Sequence, residues 1–334
     1  MTMPVILQHR LRIPVIGSPL FIISGPELVI AQCKAGIVGT FPALNARPAS
    51  QLEEWLHQIT EELAAWDREH PERPSAPFGV NHIVHKTNNR LEHDLAATTK
   101  WKVPVIITSL GAREELNAEV RSYGGVTLAD VIDERFARKA VEKGSQGLIA
   151  VAAGAGGHAG TLSPFALVQE LRLWFDGPIA LSGAIANGSA VLGAQAMGAD
   201  LAYIGSAFIA TKEANAAEGY KQMIVESAAD DITYTNLFTG VAGNYLTKSI
   251  VGAGLDPKNL PQSDATKMNF GSGGNTEAKA WRDIWGCGQG IGVLDRVPGT
   301  GELVDRLAAE YEAAKADLAA KTALSAGRRL AGAD

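Results

Sequence analysis

The sequence predicts a (β/α)8 barrel of the TIM type, for three reasons. Short apolar runs alternate with amphipathic helical stretches eight times between Pro14 and Ser206, within about 210 residues, the length such a barrel needs. The runs are continuous rather than alternating, as parallel strands covered by helices require. The first run lacks the GxGxxG turn, with an acid about 20 positions on, that marks a doubly wound dinucleotide-binding sheet.

The units follow in order. Pro14 to Leu20 is a short strand ended by Gly17, Ser18 and Pro19, and a helix from Pro26 to Lys34 leads to the strand Gly36 to Phe41. Leu52, Trp55, Leu56, Ile59, Leu63 and Trp66 fall at helical spacing in Gln51 to Arg68, and the breakers Pro71, Pro74 and Pro77 precede the strand Phe78 to Asn81. A helix from His93 to Thr99 leads to the fourth strand, Val103 to Ser109. The helix Glu114 to Tyr123 precedes a weaker strand, Gly125 to Leu128. Ile132 to Lys143 is helical and runs into Gly147 to Val151, the sixth strand. Helices from Phe165 to Phe175 and from Gly188 to Met197 then lead to the strands Pro178 to Gly183 and Ala199 to Ser206.

The pattern changes after Ala210. A helix over Ala216 to Ala228 precedes a polar, Gly/Asn/Thr-rich stretch containing TGVAGNY at Thr239 to Tyr245. We therefore expect residues 1–228 and 281–334 to form the barrel and 229–280 a small lobe over its active-site face. Gly301 to Thr322 reads as a terminal helix packed back on the barrel, and the tail from Ala326 as frayed.

Composition narrows the function. With 46% apolar residues in 334, the chain can bury a large core, and a net charge of −6 supplies no basic field for nucleic acid or an anionic membrane. Cys33 and Cys287 lack disulfide-framework or zinc spacing and read as small apolar residues. The N-terminus has no signal-type apolar region and no run reaches membrane-spanning length, which points to the cytoplasm.

In such barrels the chemistry lies at the C-terminal ends of the strands. There the sequence places Gly17, Ser18, Pro19 and Leu20, then Asn81 and His82, then Thr108 and Ser109, with no acid among them. The loops after the seventh and eighth strands, Ser182-Gly183 and Gly205-Ser206, pair a glycine with a hydroxyl, as phosphate-holding turns do. After the sixth strand comes AAGAGGHAGTLSP, Ala152 to Pro164, where Gly156 and Gly157 let a ligand approach the backbone of His158. Without a carboxylate pair, a metal-type cluster or an activated nucleophile, this inventory suits redox chemistry with a phosphorylated cofactor, and FMN matches it. His85, His93, Lys86 and Lys248 read as surface groups, and the tryptophans at 55, 66 and 174 as packing; Trp281 and Trp285 flank a Gly-rich segment.

Read together, GSPLF, GVN at Gly79 to Asn81, AAGAGGHAGTLSPF, LSGAI at Leu181, GADLAYIGSAFIAT at Gly198 and IWGCGQGIGVLDRVP at Ile284 resemble the nitronate monooxygenase (2-nitropropane dioxygenase) family of FMN-dependent barrels. The resemblance implies that His158 acts on a nitroalkane or its nitronate. It implies that Gly183, Gly205 and Ser206 hold the FMN phosphate, that Asn81 and Gly17 to Leu20 lie along the flavin, and that Gln289-Gly290 closes one side. It implies oxidation by O2 to a carbonyl compound and nitrite, no metal, and a homodimer acting on small molecules. The alternative within the superfamily is an NAD(P)H-dependent reductase of quinones or enoyl thioesters. The loop reads GAGGH where many relatives carry EAGGH, a departure assigned to Ala155, which removes an acidic partner for His158.

Overall fold

A computed structural model describes residues 3–238, 240–263 and 284–323. Its centre is eight parallel strands: β1 (Val15–Gly17), β2 (Gly39–Pro42), β3 (Phe78–Ile83), β4 (Val105–Ser109), β5 (Val126–Val131), β6 (Gly147–Val151), β8 (Ile179–Ser182) and β9 (Leu201–Ile204), with a two-residue strand, β7 (Gly157–His158), outside the ring. They run in the order β1-β9-β8-β6-β5-β4-β3-β2. A parallel bridge between Ile16 and Val38 brings the two edges together, with Gly17 N–H donating to Val38 O at 2.8 Å. The eight predicted strands are all present, and that bridge makes the sheet a nearly closed barrel.

Strict alternation sorts the side chains into two shells. Ile16, Val38, Val105, Ile107, Val126, Leu128, Ile149, Val151, Ala180, Leu201 and Tyr203 fill the barrel, and Leu7 from the N-terminal turn joins them. Their neighbours in sequence point outward: Ile106 and Val80 pack under α1 (Pro26–Ala35) and α2 (Gln51–Glu69), and Leu148, Ala150 and Leu181 under α6 (Pro164–Arg172). Each fully buried Leu, Ile or Val contributes about 1.5–3 kcal/mol, so both shells must be apolar and the strand reads as a continuous run.

Two strands are longer than their sequence suggests. β3 continues to Ile83, and β5 extends to Val131 instead of ending at Leu128, because Asp130 interrupts the apolar run without interrupting the alternation.

The C-terminal helix, Thr300–Ala323, buries Leu303, Val304 and Leu307 against the barrel. It crosses α7 (Gly188–Ala196) so closely that a Cβ at Gly188 would lie 2.1 Å from Tyr311 N. Residues after the barrel form β10 (Ile232–Thr235) and β11 (Gly243–Leu246), an antiparallel pair that adds β7 as a third strand. Thr239, residues 264–283 with Trp281, and the tail from Ala326 lie outside the described residues. Among the described residues, no helix is long and apolar enough to cross a membrane, and Cys33 and Cys287 are buried free thiols.

Candidate active site

The inward positions at the C-terminal ends of the strands form a polar ring. Asn81 Nδ2 on β3 donates to Ser109 Oγ on β4 at 2.7 Å, and Ser109 in turn donates to Asp130 Oδ2 on β5 at 2.5 Å. Across the barrel, Tyr203 on β9 is hydrogen-bonded to Ser18, the residue after β1. Burial pushes the Asp130 carboxyl up to about 6, against the opposing pull of the Ser109 hydroxyl. Burial, and then the nearby Asp130, hold the Tyr203 phenol well above its ordinary range.

Asp130 corrects the expectation that no strand end carries an acid. Ending β5 at Leu128 left it off the strand, although Val126, Leu128 and Asp130 share one period-2 face.

Thr108 is a second correction. The same alternation that points Ser109 inward turns Thr108 out to the helix layer, where its buried hydroxyl has no hydrogen-bond partner. Its register partner His82 also faces outward and meets Thr98 Oγ1 at 3.1 Å; burial drives that imidazole down to about 4. Gly17 abuts Gln32 of α1, where a Cβ would come within 2.3 Å of Nε2, so it can meet a ligand only through its backbone.

His158 is not on a plain loop but on β7. Gly243 of β11 is its register partner and Asn244 that of Gly157. Asn244 Nδ2 donates to Ala155 O at 2.7 Å, and Tyr234 Oη to Ala159 O at 3.0 Å, so the loop is tied down on both sides of the histidine. The ladder needs glycine, since a Cβ at Gly243 would sit 2.5 Å from Gly157 O. Burial lowers the His158 imidazole to about 4, which leaves it neutral at pH 7.

The loops after β6, β8 and β9 meet the segment Gly286 to Ile291 backbone to backbone. Gly154 O accepts from both Gln289 N at 2.9 Å and Ala184 N at 3.3 Å, and Ser206 Oγ accepts from Gly288 N at 2.8 Å. Added Cβ atoms would come within 2.7 Å of Gly288 N at Gly156, and within 2.7 Å of Ala184 C and O at Gly290. Gly183 and Ala184 both take positive φ, +145° and +55°. Gly157, at φ +64°, has nothing within 4 Å of where a Cβ would stand.

A model of the family described as nitronate monooxygenase matches residues 79–310. The chain belongs to the nitronate monooxygenase family. It is 27% identical to a nitronate monooxygenase of Paraburkholderia phytofirmans, over 90% of this chain and 92% of that protein. Among solved structures, a nitroalkane oxidase from Streptomyces ansochromogenes superposes with a TM-score of 0.78 at 23% identity, covering 92% of this chain and 98% of the other. FabK from Thermotoga maritima does so with a TM-score of 0.73 at 20% identity, covering 95% and 97%. At those identities the superpositions establish the shared barrel.

Within this nitronate monooxygenase family member, aligning GAGGH with EAGGH on the shared GGH places the missing acid at Gly154, not Ala155. Gly154 has φ +85°, and a Cβ there would lie 3.0 Å from Gln289 Oε1, so Gln289 occupies the side on which an acid would stand. Away from the ring, His85 meets Thr87, His93 meets Asp94, Lys248 donates to Glu226 O, and Lys86 is exposed. Trp55 packs edge-on to Phe41, and Trp285 stacks on Tyr220 at 4.9 Å. Among the described residues no His, Cys, Asp and Glu group has the form of a metal site.

Proposed function

We propose that the chain oxidises alkyl nitronates to carbonyl compounds and nitrite, with FMN as cofactor and O2 as the final electron acceptor. The observation that carries this reading is His158: a neutral imidazole fixed by β7 and β11 at the mouth of a nitronate monooxygenase family barrel. Its ring nitrogen can accept a proton from a carbon acid or donate N–H to a nitronate oxygen. An imidazole held near 4 is a weak base, which favours the nitronate, already deprotonated, over the parent nitroalkane.

FMN fits the residues present. Ser18, Asn81, Ser109 and Ser182 face inward as uncharged donors and acceptors, suited to a flavin edge that mixes N–H and C=O groups. Gly157 leaves open space, and a Cβ at Gly205 would come no nearer than 3.4 Å to Leu20 and Ser18. In this reading the backbone of Gly17 and the residues Ser18, Pro19, Leu20 and Asn81 line the ring. Ser182, Gly183, Gly205 and Ser206 hold the phosphate, Gly156 and Gly157 shape the wall beside His158, and Gln289 and Gly290 close one side. Bound FMN supplies the two-electron acceptor that the side chains lack. Of the described residues, 229–238 and 240–263 act as a small lobe over the mouth of the barrel; the rest of the expected lobe, 264–280, lies outside the described residues.

The test is a visible absorption spectrum of the purified protein, followed by anaerobic mixing. We expect flavin absorbance that bleaches on addition of an alkyl nitronate. Bleaching by NADH or NADPH with none by the nitronate would replace this reading with a quinone or enoyl-thioester reductase. A protein that stays colourless after FMN is added would remove the cofactor.

A further inference from the structure

Asp130 is a half-buried acid that the reading above leaves without a role. One carboxylate oxygen, Oδ2, takes the Ser109 hydroxyl at 2.5 Å, while Oδ1 is shut off from solvent with no hydrogen-bond partner. Among the described residues no cation counters its charge, and burial raises its titration against the pull of that single hydroxyl. A carboxylate has about four lone-pair sites, and burying its charge with one donor and no counter-ion is costly. Protonating Oδ1 removes the charge and turns an orphaned acceptor into an O–H donor.

The surroundings leave this carboxyl as the group that can change charge. Ser109 on β4 and, behind it, Asn81 on β3 are neutral. β6 presents Ile149 in register. From across the barrel comes the Tyr203 phenol, bonded to Ser18 and held protonated by burial. A ligand seated over the ring strips the remaining water from Asp130, which penalises an ionised carboxyl and not a protonated one.

We propose that Asp130 is a proton-exchanging positioning residue: it takes up a proton at Oδ1 when a ligand covers the strand ends, so that occupancy of the site is linked to pH. The proton comes from solvent and returns to it on release. The choice of FMN as the probe that covers the strand ends rests on the cofactor reading above.

The experiment is calorimetric titration of the flavin-free protein with FMN at pH 7, in two buffers of different ionisation heat. The wild type should take up about one proton more per FMN than Asp130→Asn, because a carboxyl titrating near 6 is mostly ionised at pH 7 before the ligand arrives. Protons exchanged by the FMN phosphate are common to both proteins and cancel. Equal proton counts would overturn the inference and leave the cofactor reading standing; no FMN binding to either protein would overturn the cofactor reading. A ligand-free arm judges Asp130 by itself. Between pH 4 and 8 the melting temperature of Asp130→Asn should rise relative to wild type as pH passes through about 6. A difference independent of pH would overturn the proposal. Ser109→Ala, which keeps the acid and removes its donor, should move the titration of Asp130 upward; an unmoved midpoint would also count against it.

Discussion

Gly290→Ala measures how tightly the loops around the candidate site are bound to one another. The new Cβ would stand 2.7 Å from both the carbonyl carbon and oxygen of Ala184, against 3.4 Å or more for ordinary contact. The obstacle is backbone, held in place by the Ala184 N–H bond to Gly154 O, so no side chain can swing aside. Relief requires the segment from Gln289 to back away, which stretches the 2.9 Å bond from Gln289 N to the same carbonyl. Overpacking of this size and one weakened hydrogen bond together cost about 2–3 kcal/mol. In a chain of this length that lowers the melting temperature by about 3–4 °C. FMN affinity should fall by about tenfold or more if the loop of Gly183 and Ala184 moves. Gly193→Ala is the matched control: Gly193 lies inside α7 with nothing within 4 Å of the new Cβ, so helix propensity alone should stabilise by about 0.5–1 kcal/mol. Thermal unfolding and FMN titration of the two variants decide the matter. A Gly290→Ala protein with wild-type stability and affinity, or one that shifts in the same direction as Gly193→Ala, would refute the close-approach argument.

Three further outcomes are expected. His158→Ala should keep FMN bound, as judged by the visible spectrum, and lose most turnover of nitronate; unchanged kinetics would make the histidine structural. Ring NMR of His158 should show its midpoint near 4, below the ordinary 6.5 of an imidazole. Because the folded value is the lower one, the unfolded chain binds the proton first. The stability difference is therefore fully present above about 6.5 and is lost as pH falls towards 4, and His158→Gln should be less acid-sensitive than wild type in the same window. His82→Ala removes a buried ring that faces α3 (Leu91–Lys100) and leaves Thr98 without that partner, which should cost about 2–4 kcal/mol in denaturant unfolding with nitronate turnover per folded molecule unchanged.

The barrel was legible because its two-shell packing demands an apolar residue at every strand position, and runs such as Val105-Ile106-Ile107 have few other uses. Where the shells meet the mouth, the same physics makes the reading fail. A strand end must turn one side chain to a wet ligand site and the next to a dry helix layer, and a linear run gives no sign of which is which. Thr108 and Ser109 are both hydroxyls at the end of β4, yet one residue of phase separates a buried packing position from the centre of the polar ring. Asp130 was missed for the related reason that an inward-facing acid lowers the hydropathy of its own strand. The signal available was the spacing of Val126, Leu128 and Asp130, which outlasts the apolar run. His158 could be found from its glycines, but β11, 85 residues further on at Gly243, is a long-range pairing that no local pattern encodes.

Glycine-rich loops carry the deeper ambiguity, because a glycine admits a ligand and a neighbouring backbone equally well. In sequence, GAGGH, LSGAI, IGSA and GCGQG all look like cradles for a cofactor. In three dimensions four of those glycines are spent on neighbouring backbone: Gly156 on Gly288, Gly288 on Gly154, Gly183 on Ala153 and Gly290 on Ala184. Gly157 and Gly205 differ, since the places their side chains would fill are open or nearly so. Loops that interlock in this way cannot shift independently, so the turn that bears His158 and the turns proposed to hold the phosphate share one framework. In the proposed reading, that framework sets the distance from His158 to the cofactor through backbone contacts. The backbone that bears His158 is held by the β7–β11 ladder and by Asn244 on Ala155 O, while Gln289 stands beside Gly154 on the side where an EAGGH loop would carry its acid.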